Sequence, residues 1–151
     1  MNKKSLFLVL SLLGIAILFI SAGIYAGTTA PDVIKMENKI YDKHTKGIVE
    51  FSHKKHVVDY KGTCGECHHD ATGKPLDLKE GDAVQSCAEC HSKAGLAPKG
   101  KDAPKLTPKE KLEYHAEAIH KNCIDCHKAS NTKTGTKNAP TSCAKCHPQK
   151  K

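Results

Sequence analysis

All eight cysteines of this 151-residue chain fall into four copies of one short word. The copies are Cys64-Gly-Glu-Cys67-His68, Cys87-Ala-Glu-Cys90-His91, Cys123-Ile-Asp-Cys126-His127 and Cys143-Ala-Lys-Cys146-His147. On one helical turn, residues i, i+3 and i+4 share a face. Two thiols so placed can form thioethers to the two vinyl groups of one haem while the imidazole that follows reaches its iron. Zinc fits less well, because it takes two such cysteine pairs per ion and gains nothing from a histidine fixed after the second cysteine. A disulfide framework suits an exported chain with an even cysteine count, but it leaves the histidines unexplained. The words therefore predict four haem c groups, with His68, His91, His127 and His147 as proximal axial ligands.

Six of the ten histidines remain for the other axial positions: His44, His53, His56, His69, His115 and His120. The chain has two methionines, Met1 and Met36, so a thioether ligand can serve one iron at most. Two histidines per iron is the economical expectation, and it implies low reduction potentials, since paired imidazoles favour ferric iron. With both axial positions filled by protein, such a haem has no open site for a substrate. That makes the chain an electron carrier rather than an enzyme. A reductase with one open haem is the contrasting reading, and a high-spin ferric signal would reveal it. His53 and His56 stand three apart and share a face if that stretch is helical, so they can reach two different irons. His69 directly follows His68, so the two rings diverge and His69 belongs to a neighbouring haem if it is a ligand. His44, in a polar loop after Asp42-Lys43, reads as a solvated surface histidine.

The elements that must position these groups begin with helical turns at each word. Short strands are expected at Val33 to Met36 and at Ile48 to Phe51, with Gly47 opening the second. Thr107-Pro108-Lys109-Glu110 is a capping box with proline at the first helical position, predicting a helix from about Pro108 to Lys121. His115 and His120 flank its apolar stripe of Leu112, Ala116 and Ile119 on opposite sides, and periodicity does not choose between them. Loops rich in Gly, Pro, Lys and Asp are expected at residues 73–82, 95–105 and 131–140. Tryptophan is absent, and beyond residue 30 the aromatics reduce to Tyr41, Phe51, Tyr60 and Tyr114. A domain this small and polar buries too little apolar surface to hold itself together without staples. The expected fold is therefore a small, mostly α and irregular multihaem cytochrome domain with a short N-terminal β-hairpin and four haems as its core.

This constellation resembles the class III c-type cytochromes, the tetrahaem cytochrome c3 family, over about residues 32–149. The resemblance is carried by Phe51-x-His53-x-x-His56, by Cys64 to His69, by the three later attachment words and by the upstream segment Ile34-Lys-Met-Glu. It implies His53 as the distal ligand of the first haem, His69 of the second and His56 of the third. It favours His120, three residues before Cys123, over His115 for the fourth. Many members have a longer gap between the cysteines of the second and fourth words, whereas all four gaps here are two residues. By resemblance the redox partners include hydrogenase or formate dehydrogenase on one side and membrane redox complexes on the other.

Lys3 and Lys4 precede an uncharged run whose apolar heart is Leu6 to Ile20. Residues 1–26 thus read as a cleaved signal peptide or as a retained membrane anchor, leaving residues 27–151 as the cytochrome domain. Both readings place that domain in the periplasm, and membrane contact is open to residues 6–26. A membrane-anchored tetrahaem quinol dehydrogenase shares this layout, but about forty residues separate the apolar run from Cys64. After residue 26, 22 lysines, no arginine and 16 acidic residues leave a net charge of +6. Scattered lysines without interleaved aromatics, on an exported chain, exclude a nucleic-acid partner. Ferric haems with ionised propionates add about −1 each, so the total falls to roughly +2. Steering of an acidic redox partner would then rest on the local cluster Lys128, Lys133, Lys137, Lys145, Lys150 and Lys151 around the third and fourth words.

Overall fold

Near the start of the domain, Ile34 and Phe51 face each other across a two-stranded antiparallel sheet, β1 (Ile34–Lys35) and β2 (Glu50–Phe51), with Lys35 opposite Glu50. The regular pairing is shorter than the expected strands. The Met36 amide still reaches the Val49 carbonyl at 2.9 Å, and the Lys54 amide reaches Asp32 at 3.2 Å, so the contact continues on both sides. This computed structural model describes residues 30–149; the expected signal or anchor at residues 1–26, and Lys150 and Lys151, lie outside the described residues. A wide helical turn at Lys55–Asp59 follows β2, then a tight turn at Cys64–Glu66, α1 (Cys87–Cys90), α2 (Pro108–Leu112), α3 (His115–Thr134) and α4 (Cys143–Cys146).

The helix expected from Pro108 to Lys121 is two helices. Thr107 caps α2 as its sequence predicts, its hydroxyl accepting from the Glu110 amide at 3.2 Å. The chain then breaks at Tyr114, whose backbone is extended. The cause lies elsewhere in the chain: the Lys93 amide donates to the Glu113 carbonyl, the His115 amide to the Lys93 carbonyl and the Ala116 amide to the Gly95 carbonyl, at 2.8 to 3.0 Å. Those bonds substitute for the helical ones that a continuous helix would make here. Helix α3 then runs through the third attachment word and ends at Thr134, inside the expected 131–140 loop. Gly135 terminates it in the left-handed conformation that a Cβ disfavours, with φ of 66°.

Among the described residues only Ala97 and His115 are buried, and no large side chain is fully enclosed. Val57, Val58, Tyr60, Val84 and Leu96 are exposed instead. A protein interior of ordinary kind is missing from these residues, so something other than side-chain packing must hold the elements together. The main unit comprises residues 30–78 and 84–149. Residues 79–83 make a turn of their own, closed by the Lys79 amide on the Asp82 carboxylate at 2.7 Å. No helix among the described residues is long and apolar enough to cross a membrane.

Candidate functional site

Each of the four words stands on a helical turn, and for the first two the sequence builds that turn locally. The Glu66 carboxylate accepts from the Thr63 amide at 2.7 Å, and the Glu89 carboxylate from the Ser86 amide at 3.0 Å. The Ser86 hydroxyl in turn accepts from Ala88 at 3.4 Å. The glutamate inside each of these two words is thus the fourth residue of a Ser/Thr-x-x-Glu capping box that opens the turn. The spacing Thr63-x-x-Glu66 and Ser86-x-x-Glu89 is the sequence signal of these two turns, carried by a position at which the four words differ. The third word lies within α3, where Asp125 takes the same position and pairs with Lys121 one turn earlier at 2.7 Å. Behind the first word, the Leu76 amide bonds the His68 carbonyl at 2.9 Å, and a Cβ on Gly65 would lie 2.8 Å from the Leu76 carbonyl oxygen. Glycine at that position lets the 75–76 segment back the turn.

The imidazoles are oriented by main-chain carbonyls. His127 Nδ1 bonds the Pro140 carbonyl at 2.6 Å and His147 Nδ1 the Gly47 carbonyl at 2.9 Å, while His91 Nδ1 bonds the Leu112 carbonyl. His56 Nδ1 bonds Ser52 at 2.9 Å and His69 Nδ1 bonds Asp70 at 2.8 Å. A carbonyl only accepts, so in all five rings Nδ1 carries the proton and Nε2 keeps the lone pair that a metal needs. The break between α2 and α3 makes one of these bonds possible. In an unbroken helix the Leu112 carbonyl would take the Ala116 amide; here that amide goes to Gly95, and Leu112 is left for His91. Asp70 performs a similar service for His69. Its carboxylate accepts from the Thr72 amide and hydroxyl at 2.8 and 2.6 Å and from the Lys74 amide at 3.0 Å, which holds the turn. The Thr72 hydroxyl first, then the Lys74 and Thr72 amides, keep the Asp70 carboxyl below its ordinary range.

Rings from distant segments meet in pairs. The ring centres of His69 and His91 are 5.8 Å apart, those of His56 and His127 are 6.1 Å apart, and those of His120 and His147 are 6.1 Å apart. A first-row metal about 2.0 Å from one nitrogen of each of two opposed imidazoles sets their centres roughly 6 Å apart, so the donors present fit such an ion. His68 has the His53 and His69 rings as neighbours. Desolvation first, and then those two rings, push its pKa below the usual histidine value. His120 is shifted down in the same sense by desolvation and then by His147. Both shifts favour the neutral imidazole that ligates.

His115 is placed differently. It is buried at the start of α3, and its Nδ1 meets the Tyr41 hydroxyl at 2.9 Å, with the Tyr41 ring edge-on. His44 also packs on Tyr41, with ring centres 4.9 Å apart, and its Nε2 accepts from the Asn38 amide at 3.4 Å. The half-buried His44 is therefore no solvated loop residue: its Nε2 lone pair is turned toward a backbone donor, and with Tyr41 and His115 it forms a polar cluster that the sequence did not announce.

None of the eight cysteines is paired in a disulfide. Partial desolvation first, then the nearby thiols of Cys67, Cys146, Cys126 and Cys87, push Cys123 up to about 11. Words separated by up to 80 residues in sequence therefore converge on one region. Residues 29–147 match the class III cytochrome c family. A cytochrome c3 from Maridesulfovibrio salexigens is 38% identical over 111 residues, covering 72% of this chain and 86% of that protein.

Proposed function

The chain belongs to the class III cytochrome c family, and on that premise we propose that it is a periplasmic, low-potential carrier of four haems, each iron held between two histidines. Haem-binding electron carriers, not enzymes, make up the family. The observation that carries the finer reading is the pairing of His69 with His91, His56 with His127 and His120 with His147 at 5.8 to 6.1 Å, with Nδ1 of five of these six rings bound to a carbonyl. The family resemblance assigns His53 to His68 as the fourth pair, and His53 is among the groups that act on the His68 ring.

Haem c supplies a one-electron ferric and ferrous couple. The chain's own residues do the rest. Cys64 and Cys67, Cys87 and Cys90, Cys123 and Cys126, and Cys143 and Cys146 would each hold one haem by thioether bonds. His68, His91, His127 and His147 would each supply one iron ligand beside their own cysteines, and His53, His69, His56 and His120 the second ligand of the first, second, third and fourth haem. Carbonyl acceptors at Nδ1 make the imidazoles more basic and so favour ferric iron, which keeps the potentials low. The four haems also form the interior that Ala97 and His115 alone do not provide, which is why exposed Val57, Val58 and Tyr60 follow the ligand-bearing segment. Exposed Lys128, Lys133, Lys137 and Lys145 offer a basic surface to an acidic redox partner such as hydrogenase or formate dehydrogenase.

The test is haem stoichiometry and spin state on the native mature protein. Four haems by pyridine haemochrome, resistant to acid acetone, and four low-spin ferric signals are expected. Fewer haems, or a high-spin signal, would refute the reading. Mass spectrometry of the same sample decides whether residues 1–26 are cleaved.

A further inference from the structure

We propose that Asn131 is the positioning residue of the third haem site, fixing the carbonyl that orients His127. This rests on His127 being an axial ligand, and it goes beyond the ligand set to the group that holds it.

Asn131 lies one helical turn beyond His127 in α3, on the same face. Its side-chain amide makes two bonds to the main chain of one residue across the loop, on the two peptide groups that flank its Cα. Nδ2 donates to the Ala139 carbonyl at 2.9 Å, and Oδ1 accepts from the Ala139 amide at 3.0 Å. The next carbonyl, that of Pro140, receives the His127 Nδ1–H at 2.6 Å. The far end of the same loop is also tied to Asn131, whose main-chain carbonyl accepts from Gly135 and, at 3.1 Å, from Thr136. Loop 135–140 is therefore closed on Asn131 at both ends.

The chemistry explains why an amide is needed. Pro140 has no N–H and its φ is locked near −65°, so it cannot anchor itself. Once the Ala139 amide and carbonyl are both held and the ring fixes φ, the Pro140 carbonyl keeps one backbone freedom, its ψ, and the bond from His127 takes that up. Only Asn presents a donor and an acceptor side by side at this side-chain length. Leucine has the same shape and neither group. With the clamp gone, the bond to His127 lengthens, the imidazole becomes less basic and the ferrous state gains.

The experiment uses the holoprotein carrying Asn131→Leu and, separately, Asn131→Ala, with Thr132→Ala as control. The Thr132 hydroxyl bonds the Lys128 carbonyl at 3.0 Å on the neighbouring helical position and does not reach the loop. In both Asn131 variants the ferric-to-ferrous equilibrium of one haem should move three- to tenfold toward ferrous, about 30 to 60 mV at 59 mV per tenfold. NMR should place the altered haem methyl signals on the haem attached to Cys123 and Cys126, with the other three unmoved. Loss of that haem alone, by peptide mass spectrometry, would support the proposal equally. Four unchanged potentials in Asn131→Leu would overturn it, as would the same shift in Thr132→Ala or losses spread over all four haems. If His127→Met changes no haem spectrum, the ligand assignment itself has failed, and the proposal fails with it.

Discussion

Replacing Gly47 by alanine should strike the fourth site from a hundred residues away. A Cβ built on Gly47 lies 2.1 Å from the Pro148 carbonyl oxygen, 2.9 Å from its carbon and 2.9 Å from the Pro148 Cγ. These are backbone and ring atoms, not the tip of a flexible chain, so one segment must move. Gly47 is not among the residues with positive φ, so the demand for glycine is steric rather than conformational. Two costs add. Overpacking of this kind destabilises by about 1 to 3 kcal/mol. The Gly47 carbonyl also accepts the His147 Nδ1–H at 2.9 Å, and displacing it costs about 1 kcal/mol more.

The sum is about 2 to 4 kcal/mol, which for a domain of this size lowers the melting temperature by about 8 to 16 °C. If the hydrogen bond's full contribution is felt by the ferric state alone, one haem potential rises by about 40 mV, since a tenfold change is 1.4 kcal/mol and 59 mV. Thermal melts of the holoprotein followed in the Soret band, with spectroelectrochemistry resolving the four couples, would measure both. A melting temperature within about 2 °C of wild type and four unmoved potentials would refute the steric reasoning. A lower melting temperature with all four potentials moved alike would refute the assignment of Gly47 to one site.

His120→Met should raise the potential of one haem and leave three bis-histidine spectra intact, since a thioether favours ferrous iron; a new high-spin signal in a His115 variant instead would reverse the choice of ligand. His115→Phe should leave ligation spectra unchanged yet cost about 1 to 3 kcal/mol by chemical denaturation, because the Tyr41 hydroxyl loses its partner. Cys87→Ser should lose one haem by mass and lower the melting temperature of the whole domain; three haems with unaltered stability would contradict a shared haem interior. Glu66→Ala and Glu89→Ala should each cost about 1 kcal/mol through loss of the caps, measurable in the same melts.

Membership of the class III family was legible because its signal is residue type at fixed spacing: the four words, Phe51-x-His53-x-x-His56, and His69 after His68. Helix α2 was legible for the same reason, since Thr107, Pro108 and Glu110 state their roles locally. The break at Tyr114 was not. Its cause is the backbone of Lys93 and Gly95, some twenty residues earlier, and a main-chain donor or acceptor has no residue-type signature. The acceptors at Nδ1 were hidden for the same reason, since Leu112, Pro140 and Gly47 contribute carbonyls that any residue would carry. What selects those positions is indirect: a broken helix frees Leu112, the Asn131 clamp holds Pro140, and a Cβ-less contact lets Gly47 sit against Pro148.

The proposed ligand pairs also explain how so small a chain can hold four large groups in one unit. Consecutive His68 and His69 serve the first and second sites. His53 and His56, one turn apart, serve the first and third. His120 and His127 lie seven residues apart on one face of α3, about 10 Å along the axis, and serve the fourth and third. Each link is a short, stiff piece of backbone, so the sites are chained in the order second, first, third, fourth, with no flexible loop between neighbours. The separations are then set by peptide geometry rather than by packing, which the near absence of buried side chains could not supply. A carrier needs its redox centres close and fixed, and under the proposed ligation neighbouring centres would share a segment of backbone. Insertions within residues 54–55 or 121–126 should therefore be far more damaging than insertions in the 95–105 loop, where no ligand pair is spanned.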